Sequence, residues 1–279
     1  MSGTLYLCAT PIGNLGDISG RLVETLSSVD LIAAEDTRHT LKLLNHLGIK
    51  KPMVSYYEHN RREKGEQLVK MLSEGTNIAL VSDAGTPAIS DPGEDLVALC
   101  AEADIPVIPV PGPVAAICAL IVSALPTGRF AFEGFLTMNR KGRMDRLQEV
   151  KNDKRTLIFY EAPHKLRATL KDMLEVFGDR KISLSREITK LHEETIRTTL
   201  AEAQNLYSDD HPPKGEYVLV VAPADKTDEE IAFENMSIKE HVEFYIKSGD
   251  DEKTAMKKVA ADKKISKRDV YSEYKLNQE

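Results

Sequence analysis

The sequence predicts an α/β protein built as two mixed helix–strand domains with a small helical domain at the C-terminal end. Three observations predict it. Short apolar runs alternate with amphipathic segments through the first half. A second set of strand-like runs follows a Pro/Gly-rich break. The last stretch carries helix-spaced apolar residues and no strand pattern.

In the first half, the candidate strands are Thr4–Ala9, Leu31–Ala34, Met53–Ser55, Ile78–Val81 and Ile105–Val110. They are short and apolar on both faces, as in a parallel sheet covered by helices. Between them, Leu22, Val23, Leu26 and Val29 recur at helical spacing. Leu41, Leu43, Leu44 and Leu47 make a second stripe that Gly48 ends, and Leu68, Val69 and Leu72 a third that Gly75 ends. Such βα alternation is the signature of an α/β domain.

Pro109, Pro111, Gly112 and Pro113 break this pattern, and a small-residue apolar helix from Val114 to Ala124 follows. The domain junction is placed there. Beyond it, Ala131–Phe135, Thr156–Tyr160, Ile182–Arg186, Thr195–Thr199 and Tyr217–Ala222 read as strands, with a helix from Lys165 to Phe177. The Thr195 run lies so close to the strand before it that antiparallel pairing is expected. From Pro223 the chain turns polar, and ADKTDEE reads as a linker. Helical patterns follow at Ile238–Ile246, Glu252–Ala261 and Lys267–Tyr274, the last with Ser266 as its N-cap. The expected units are therefore 1–112, 113–223 and 224–279.

The 279 residues, 42% apolar and 29% charged, have the composition of a globular protein and exclude a wholly disordered one. No window approaches the ~18 uncharged apolar residues of a membrane span. The first residues lack the basic and apolar regions of a signal peptide. Cys8, Cys100 and Cys118 are few and far apart, which argues against a disulfide framework or a zinc site and for a reduced, cytoplasmic protein. A formal charge of −7 excludes a uniformly polycationic nucleic-acid binder and leaves only local basic patches.

Several catalytic signatures are missing: a GxGxxG fingerprint, a GxxxxGK[ST] phosphate loop and a GxSxG elbow. His192–Glu193–Glu194 begins like HExxH, but Ile196 stands where the second His belongs, so no metal is expected. Three Gly/Pro-rich turns follow strands instead: Thr10–Asp17, Ser82–Gly93 and Pro111–Ala116. Ligands of open parallel sheets bind beyond the carboxyl ends of the strands, so three such turns point to a ligand cleft, although each alone reads as an ordinary turn. Ala34–Glu35–Asp36–Thr37–Arg38 ends the second strand. It either meets substrate, or Asp36 or Thr37 caps the next helix while Glu35 pairs with Arg38. Tyr160–Glu161–Ala162–Pro163–His164–Lys165 ends a strand of the second half, with Pro163 opening a helix. His59 and His164 also fit plain surface or capping roles. Arg140–Lys141–Gly142–Arg143–Met144–Asp145–Arg146 reads as an anion site or as a solvated helix start. Lys257, Lys258, Lys263, Lys264, Lys267 and Arg268 read as an RNA contact or as a solvated face.

Taken in order, LYLCATPIGNLGD, AAEDTR, SDAGTPAISDPG, VPGPVAA, FEGFL, YEAPHK and SREITKLHEE carry a resemblance over about residues 3–222. With them the sequence resembles the bacterial 16S rRNA cytidine 2′-O-ribose methyltransferases, a family of the tetrapyrrole-methylase superfamily. The tail looks like that family's small helical domain. The resemblance implies two α/β domains of the tetrapyrrole-methylase type, a cofactor cleft between them, S-adenosylmethionine (SAM) as cofactor, and usually a homodimer. It implies 16S rRNA as partner, within the 30S subunit, with no membrane and no metal. By motif match, SAM contacts are expected from Thr10, Pro11, Ile12 and Gly13, from Asp83, Gly85, Thr86 and Ile89, and from Pro113, Val114 and Ala115. Tyr160 and Ala162 are expected to reach it from the second domain. Val114 stands where the family often has Ser, which removes one side-chain hydrogen bond and leaves the backbone contacts. Candidate bases for the ribose hydroxyl are Glu35, Asp36, Glu161 and His164, which the sequence does not rank. Candidate RNA contacts are Arg38, Arg140, Lys141, Arg143, Lys267 and Arg268.

Two other readings stand beside this one. One is C-methylation of a tetrapyrrole by a superfamily relative, which needs neither EDTR nor YEAPH nor a basic tail. The other is an RNA-binding factor on a catalytically dead fold, against which the intact glycine turns speak. The sequence shows no apolar stripe left over for a dimer contact.

Overall fold

The computed structural model describes residues 2–276. Its first part runs β1 (Leu5–Cys8), α1 (Gly20–Ser28), β2 (Leu31–Ala34), α2 (Thr37–Leu47), β3 (Met53–Ser55), α3 (Arg61–Ser73), β4 (Ile78–Val81), α4 (Gly93–Glu102) and β5 (Val107–Val110). All pairings are parallel, in the order β3-β2-β4-β1-β5. Successive strand residues point to opposite faces. Leu5, Leu31, Ala33, Ile78 and Leu80 pack against Leu68, Leu72, Leu96 and Cys100 of α3 and α4. Cys8, Ile32, Ala34, Ala79 and Val81 pack against Leu22, Leu26 and Leu44 of α1 and α2. Both faces are thus buried, which is why β2 and β4 are uninterrupted apolar runs. Gly48, at φ +70°, ends α2 as expected.

The second part runs α5 (Ala115–Val122), β6 (Phe130–Phe135), α6 (Arg140–Val150), β7 (Thr156–Glu161), α7 (Pro163–Phe177), β8 (Lys181–Arg186), β9 (Glu194–Thr199), α8 (Leu200–Asn205) and β10 (Tyr217–Val221). The sheet order is β6-β7-β10-β8-β9, with β6–β7 parallel and the other pairs antiparallel, including the expected β8–β9 pair. Helices α6, α7 and α8 cover one face. Ala116, Ala119 and Leu120 of α5 lie on the other, against Ile158, Val218 and Val220.

The last part departs from expectation at its start. The segment read as a linker, 224–230, ends inside a helix, α9 (Asp228–Asn235), because Thr227 and Glu230 close a capping box at its N-terminus. Lys151–Asp228 (2.7 Å) and Lys154–Glu230 (2.6 Å) tie α9 to the second sheet. Then come α10 (Ile238–Lys247), α11 (Glu252–Asp262) and α12 (Lys267–Leu276), with their own core of Val242, Ala255, Val259 and Val270. Ser266 caps α12, accepting from the Asp269 N–H at 3.1 Å. Helix α4, unread in the sequence, buries only Leu96 and Cys100 beyond its first residue, too few to set a visible period.

An apolar surface is also left over, contrary to the sequence reading. Ile117, Ile121 and Val122 of α5 are exposed, Ile121 by 68%. They escaped notice because α5 is apolar all round and shows no stripe. Among the described residues no helix is long and apolar enough to cross a membrane.

Candidate active site

The turns after β1 and β4 are stitched together by two backbone hydrogen bonds. Thr10 N–H donates to Gly85 O (2.8 Å), and Gly85 N–H to Thr10 O (3.1 Å). Gly85 sits at φ +80°, and a Cβ there would lie 3.1 Å from Ile12 Cγ2, so the close approach of the two turns requires glycine. Further along the second turn, Ala88 and Ser90 adopt left-handed backbone at φ +67° and +62°. Asp91 holds that conformation by accepting from the N–H groups of Ala88 (3.0 Å) and Gly93 (2.7 Å).

These turns roof a cavity of about 520 Å³ between the two sheets, a size suited to a cofactor. Ile12, Asp83, Gly85, Thr86 and Ile89 line it from the first sheet's side. Val114, Ala115, Tyr160 and Ala162 line it from the other, together with Phe135, Ile188 and Val218. Tyr160 is fixed by the Ala116 N–H, which donates to its hydroxyl at 3.2 Å, and by edge contact with Phe132. Helices α5 and α7 both start at this cavity, and their N-caps, Val114 and Ala162, offer no side-chain hydrogen bond. Two such helix starts favour an anionic group such as a carboxylate. Apolar walls, two helix starts and carboxylates at one edge fit SAM, with its flat base, its amino-acid end and its cationic sulfur.

Of the expected cofactor residues, Thr10, Pro11 and Gly13 line a second chamber instead, of about 380 Å³. Pro113 lines neither chamber, but its carbonyl accepts from Thr86 Oγ1 at 3.2 Å and fastens the two turns. Ser82, Asp83 and Lys190 line both chambers. Lys190 was not singled out in the sequence, although it lies within the SREITKLHEE string. Burial lowers the pKa of its ammonium, but Glu216 (2.9 Å) and Glu187 (3.0 Å) outweigh this and leave it raised.

The four candidate bases separate. Glu35 lines the cavity, and burial raises its carboxyl above the usual range, with Asp83, Asp91 and Asp36 adding to the rise. Asp36 caps α2 and binds Arg38, which holds its carboxyl far below the usual range. Arg38 thus pairs with Asp36 (2.7 Å) and not with Glu35. Glu161 lines the cavity but accepts from Ala162 N–H (2.8 Å), Thr169 Oγ1 (2.5 Å) and Lys165 Nζ (3.0 Å). Its carboxylate is spent on the start of α7. His164 is exposed and lines neither chamber. Asp36 and His164 are therefore withdrawn as bases.

The expected RNA contacts differ in their surroundings. Arg143 is buried, its guanidinium donating to Asp172 (2.8 Å) and to the carbonyls of Thr137 and Met138, which removes it as a phosphate ligand. Arg140 pairs with Asp172 (3.0 Å) and Glu175 (2.8 Å). Arg38, Lys141, Lys267 and Arg268 are exposed. In the tail, Lys258 pairs with Asp250, and Lys263 donates to the carbonyls of Phe233 and Met236 at the end of α9.

Comparison with known proteins completes the description. The family model for tetrapyrrole (corrin/porphyrin) methylases matches residues 4–204. The chain is 51% identical over 274 residues to the ribosomal RNA small subunit methyltransferase I of Halalkalibacterium halodurans, covering 98% of this chain and 94% of that protein. It is 49% identical over 270 residues to the protein of the same name from Synechocystis, covering 96% of each. Among solved structures, it resembles a uroporphyrin-III-C-methyltransferase from Thermus thermophilus, with a TM-score of 0.57 at 19% identity, covering 80% of this chain and 95% of that one. A structure of the Thermus enzyme complexed with S-adenyl homocysteine matches with a TM-score of 0.54 at 18% identity, covering 79% and 97%. At such identities the likeness is one of fold.

Proposed function

The chain belongs to the tetrapyrrole methylase family, among its ribosomal RNA small subunit methyltransferases I, and from that membership we propose that it methylates the ribose 2′-hydroxyl of a cytidine in the decoding region of 16S rRNA. The family is SAM-dependent. The observation that carries the reading is the interdomain cavity, with apolar walls, the start of α5 without a side-chain cap, and Asp83 shared with a second chamber beside it.

Bound in that cavity, SAM supplies an electrophilic methyl group on a cationic sulfur. The chain's own residues do the rest. The start of α5 would hold the amino-acid end, Asp83 would accept from a hydroxyl or amine, and Ile12, Ile89 and Val218 would exclude water. Glu35 would take the proton of the ribose 2′-hydroxyl as that oxygen receives the methyl group from the sulfur, which keeps the electron pair of the broken C–S bond. Alignment of such reactants supplies about 7–11 kcal/mol of the barrier. A positioned base adds about 10²–10⁴-fold.

The three units are placed at 1–112, 113–223 and 224–279. The protein works in the cytoplasm on the assembled 30S particle, as a homodimer whose contact includes the uncovered Ile117, Ile121 and Val122. C-methylation of a tetrapyrrole has only the shared fold in its favour, since the Thermus enzymes are under 20% identical to this chain.

The test uses SAM labelled in its methyl group and 30S subunits from a strain lacking this activity. Label on one ribose 2′-oxygen is expected. Label on a base overturns the ribose assignment, and label on a porphyrin precursor with none on RNA overturns the substrate.

A further inference from the structure

The second chamber adjoins the cofactor cavity, and its walls have a chemistry of their own. Helix α2 presents His39, Lys42 and His46 to it, at positions i, i+3 and i+7 of one helix face. All three side chains are exposed, and none has a hydrogen-bond or ion-pair partner among the described residues. The protein as a whole is acidic, so three unpartnered nitrogen donors on one face of a cleft stand out. Arg38, its side chain 88% exposed, precedes them at the mouth of the same helix.

A second observation is independent of α2. Thr10 is only 4% exposed and lines this chamber from the opposite side, yet its Oγ1 has no hydrogen-bond partner. A buried hydroxyl without a partner is a cost that a bound polar group removes. Thr189 Oγ1, likewise buried and without a partner, lies 3.1 Å from where a Cβ on Gly13 would stand.

We propose that this chamber is the acceptor site, in which Thr10 receives the ribose of the target nucleotide while His39, Lys42 and His46 grip its flanking phosphates. The proposal rests on the reading of the protein as an RNA ribose methyltransferase and says where on the chain the RNA is held. Its volume, about 380 Å³, admits one nucleoside and little more. Ser82, Asp83 and Lys190 line both chambers, so a ribose held at Thr10 turns its 2′-hydroxyl across that common wall toward the methyl group and Glu35, which lines the cofactor cavity. Imidazole N–H and ammonium groups are donors suited to phosphate oxygens, and backbone-directed contacts of this kind position RNA without reading its bases.

Lys42→Glu, His39→Ala with His46→Ala, and Thr10→Val test it, with Lys214→Glu as an exposed charge-matched control outside the chamber. Binding to 30S subunits is measured without SAM across a salt series, SAM binding by calorimetry, and KM and kcat for 30S separately. Lys42→Glu is expected to weaken 30S binding at least tenfold, to reduce the salt slope by about one, and to leave SAM affinity within twofold. The His pair is expected to raise KM, and Thr10→Val to lower kcat. Lys214→Glu is expected to match the wild type. If the α2 variants bind 30S subunits with wild-type affinity and salt slope, the proposal falls. If the wild type transfers no methyl group yet its RNA binding depends on Lys42, the reaction assignment falls and the chamber stands. If methyl transfer occurs and neither KM nor binding responds to α2, the reverse holds.

Discussion

Glu35 and Asp83, at the ends of adjacent parallel strands, hold each other in place. The Asp83 N–H donates to Glu35 Oε2 at 3.4 Å, and Asp83 Oδ1 accepts from the N–H of Asp36 at 3.1 Å. The exchange fixes two carboxylates side by side at the edge of the cofactor cavity. Partial burial, with neighbouring negative charge as a smaller addition, is what keeps the Glu35 proton affinity high.

Removal of this carboxylate therefore has a predictable pH signature. Glu35 accepts a proton only when ionised, so kcat should fall as pH drops through its raised pKa, above the ordinary 4.5. Glu35→Gln should lower kcat by about 10²–10⁴-fold and abolish that acid limb. Stability runs the other way. A carboxyl that binds its proton more tightly folded than unfolded stabilises the fold at low pH and loses that contribution as pH rises through the folded pKa. The Gln variant should thus be at least as stable as wild type at pH 7. A pH–rate profile and thermal unfolding at two pH values check both, and an unchanged acid limb removes Glu35 from the mechanism.

Gly13 and Lys190 make the second relationship across the cleft. Gly13 has φ +151°, and a Cβ there would lie 2.4 Å from Lys190 Cγ. The loop bearing Lys190 is itself held in left-handed backbone at Glu187 (φ +51°) and Thr189 (φ +69°), so it has little freedom to retreat. Gly13→Ala should displace Lys190 from Glu187 and Glu216 and lower stability by about 1–3 kcal/mol. Because Lys190 lines both chambers, SAM affinity and kcat/KM should both fall. Denaturant unfolding and steady-state kinetics test this, and wild-type values for both would show the contact to be slack.

How much of this the sequence discloses depends on where each residue's partner lies. The strands were legible because both sheet faces are buried, so Leu31–Ala34 and Ile78–Val81 are apolar throughout and bounded by polar turns. Asp83 and Gly85 were legible because a Gly-rich turn directly after a strand has a fixed place in an open sheet. Partition of the Thr10–Gly13 turn between two chambers was not, since it depends on the Gly85 pairing and on a second-domain loop more than a hundred residues away. His39, Lys42 and His46 lie on a helix face that looks like any solvated one. Only the chamber opposite gives it meaning. The 224–230 segment read as a linker because its composition is polar, and the capping box that starts α9 within it is a three-residue spacing easily passed over.

Arg143 gives the sharpest contrast between what a sequence suggests and what a fold does with it. Beside Arg140, Lys141 and Arg146 it reads as one more surface cation, and nothing nearby in sequence announces Asp172. In the structure, Arg143 and Asp172 are 7% and 3% exposed and their side chains meet at 2.7 Å. Arg143→Ala should therefore act on the fold and not on RNA. It leaves Asp172 buried with only the half-exposed Arg140 guanidinium, and loss of one partner of a buried pair costs about 3–5 kcal/mol. Arg140→Ala, which leaves the buried pair intact, should cost no more than about 1 kcal/mol. Urea unfolding of the two variants separates these values. The salt slope of 30S binding should match the wild type for Arg143→Ala, because a buried guanidinium committed to Asp172, Thr137 and Met138 is not presented to a phosphate. Equal destabilisation by both variants, or a reduced salt slope for Arg143→Ala, would return Arg143 to the surface role its neighbours suggest.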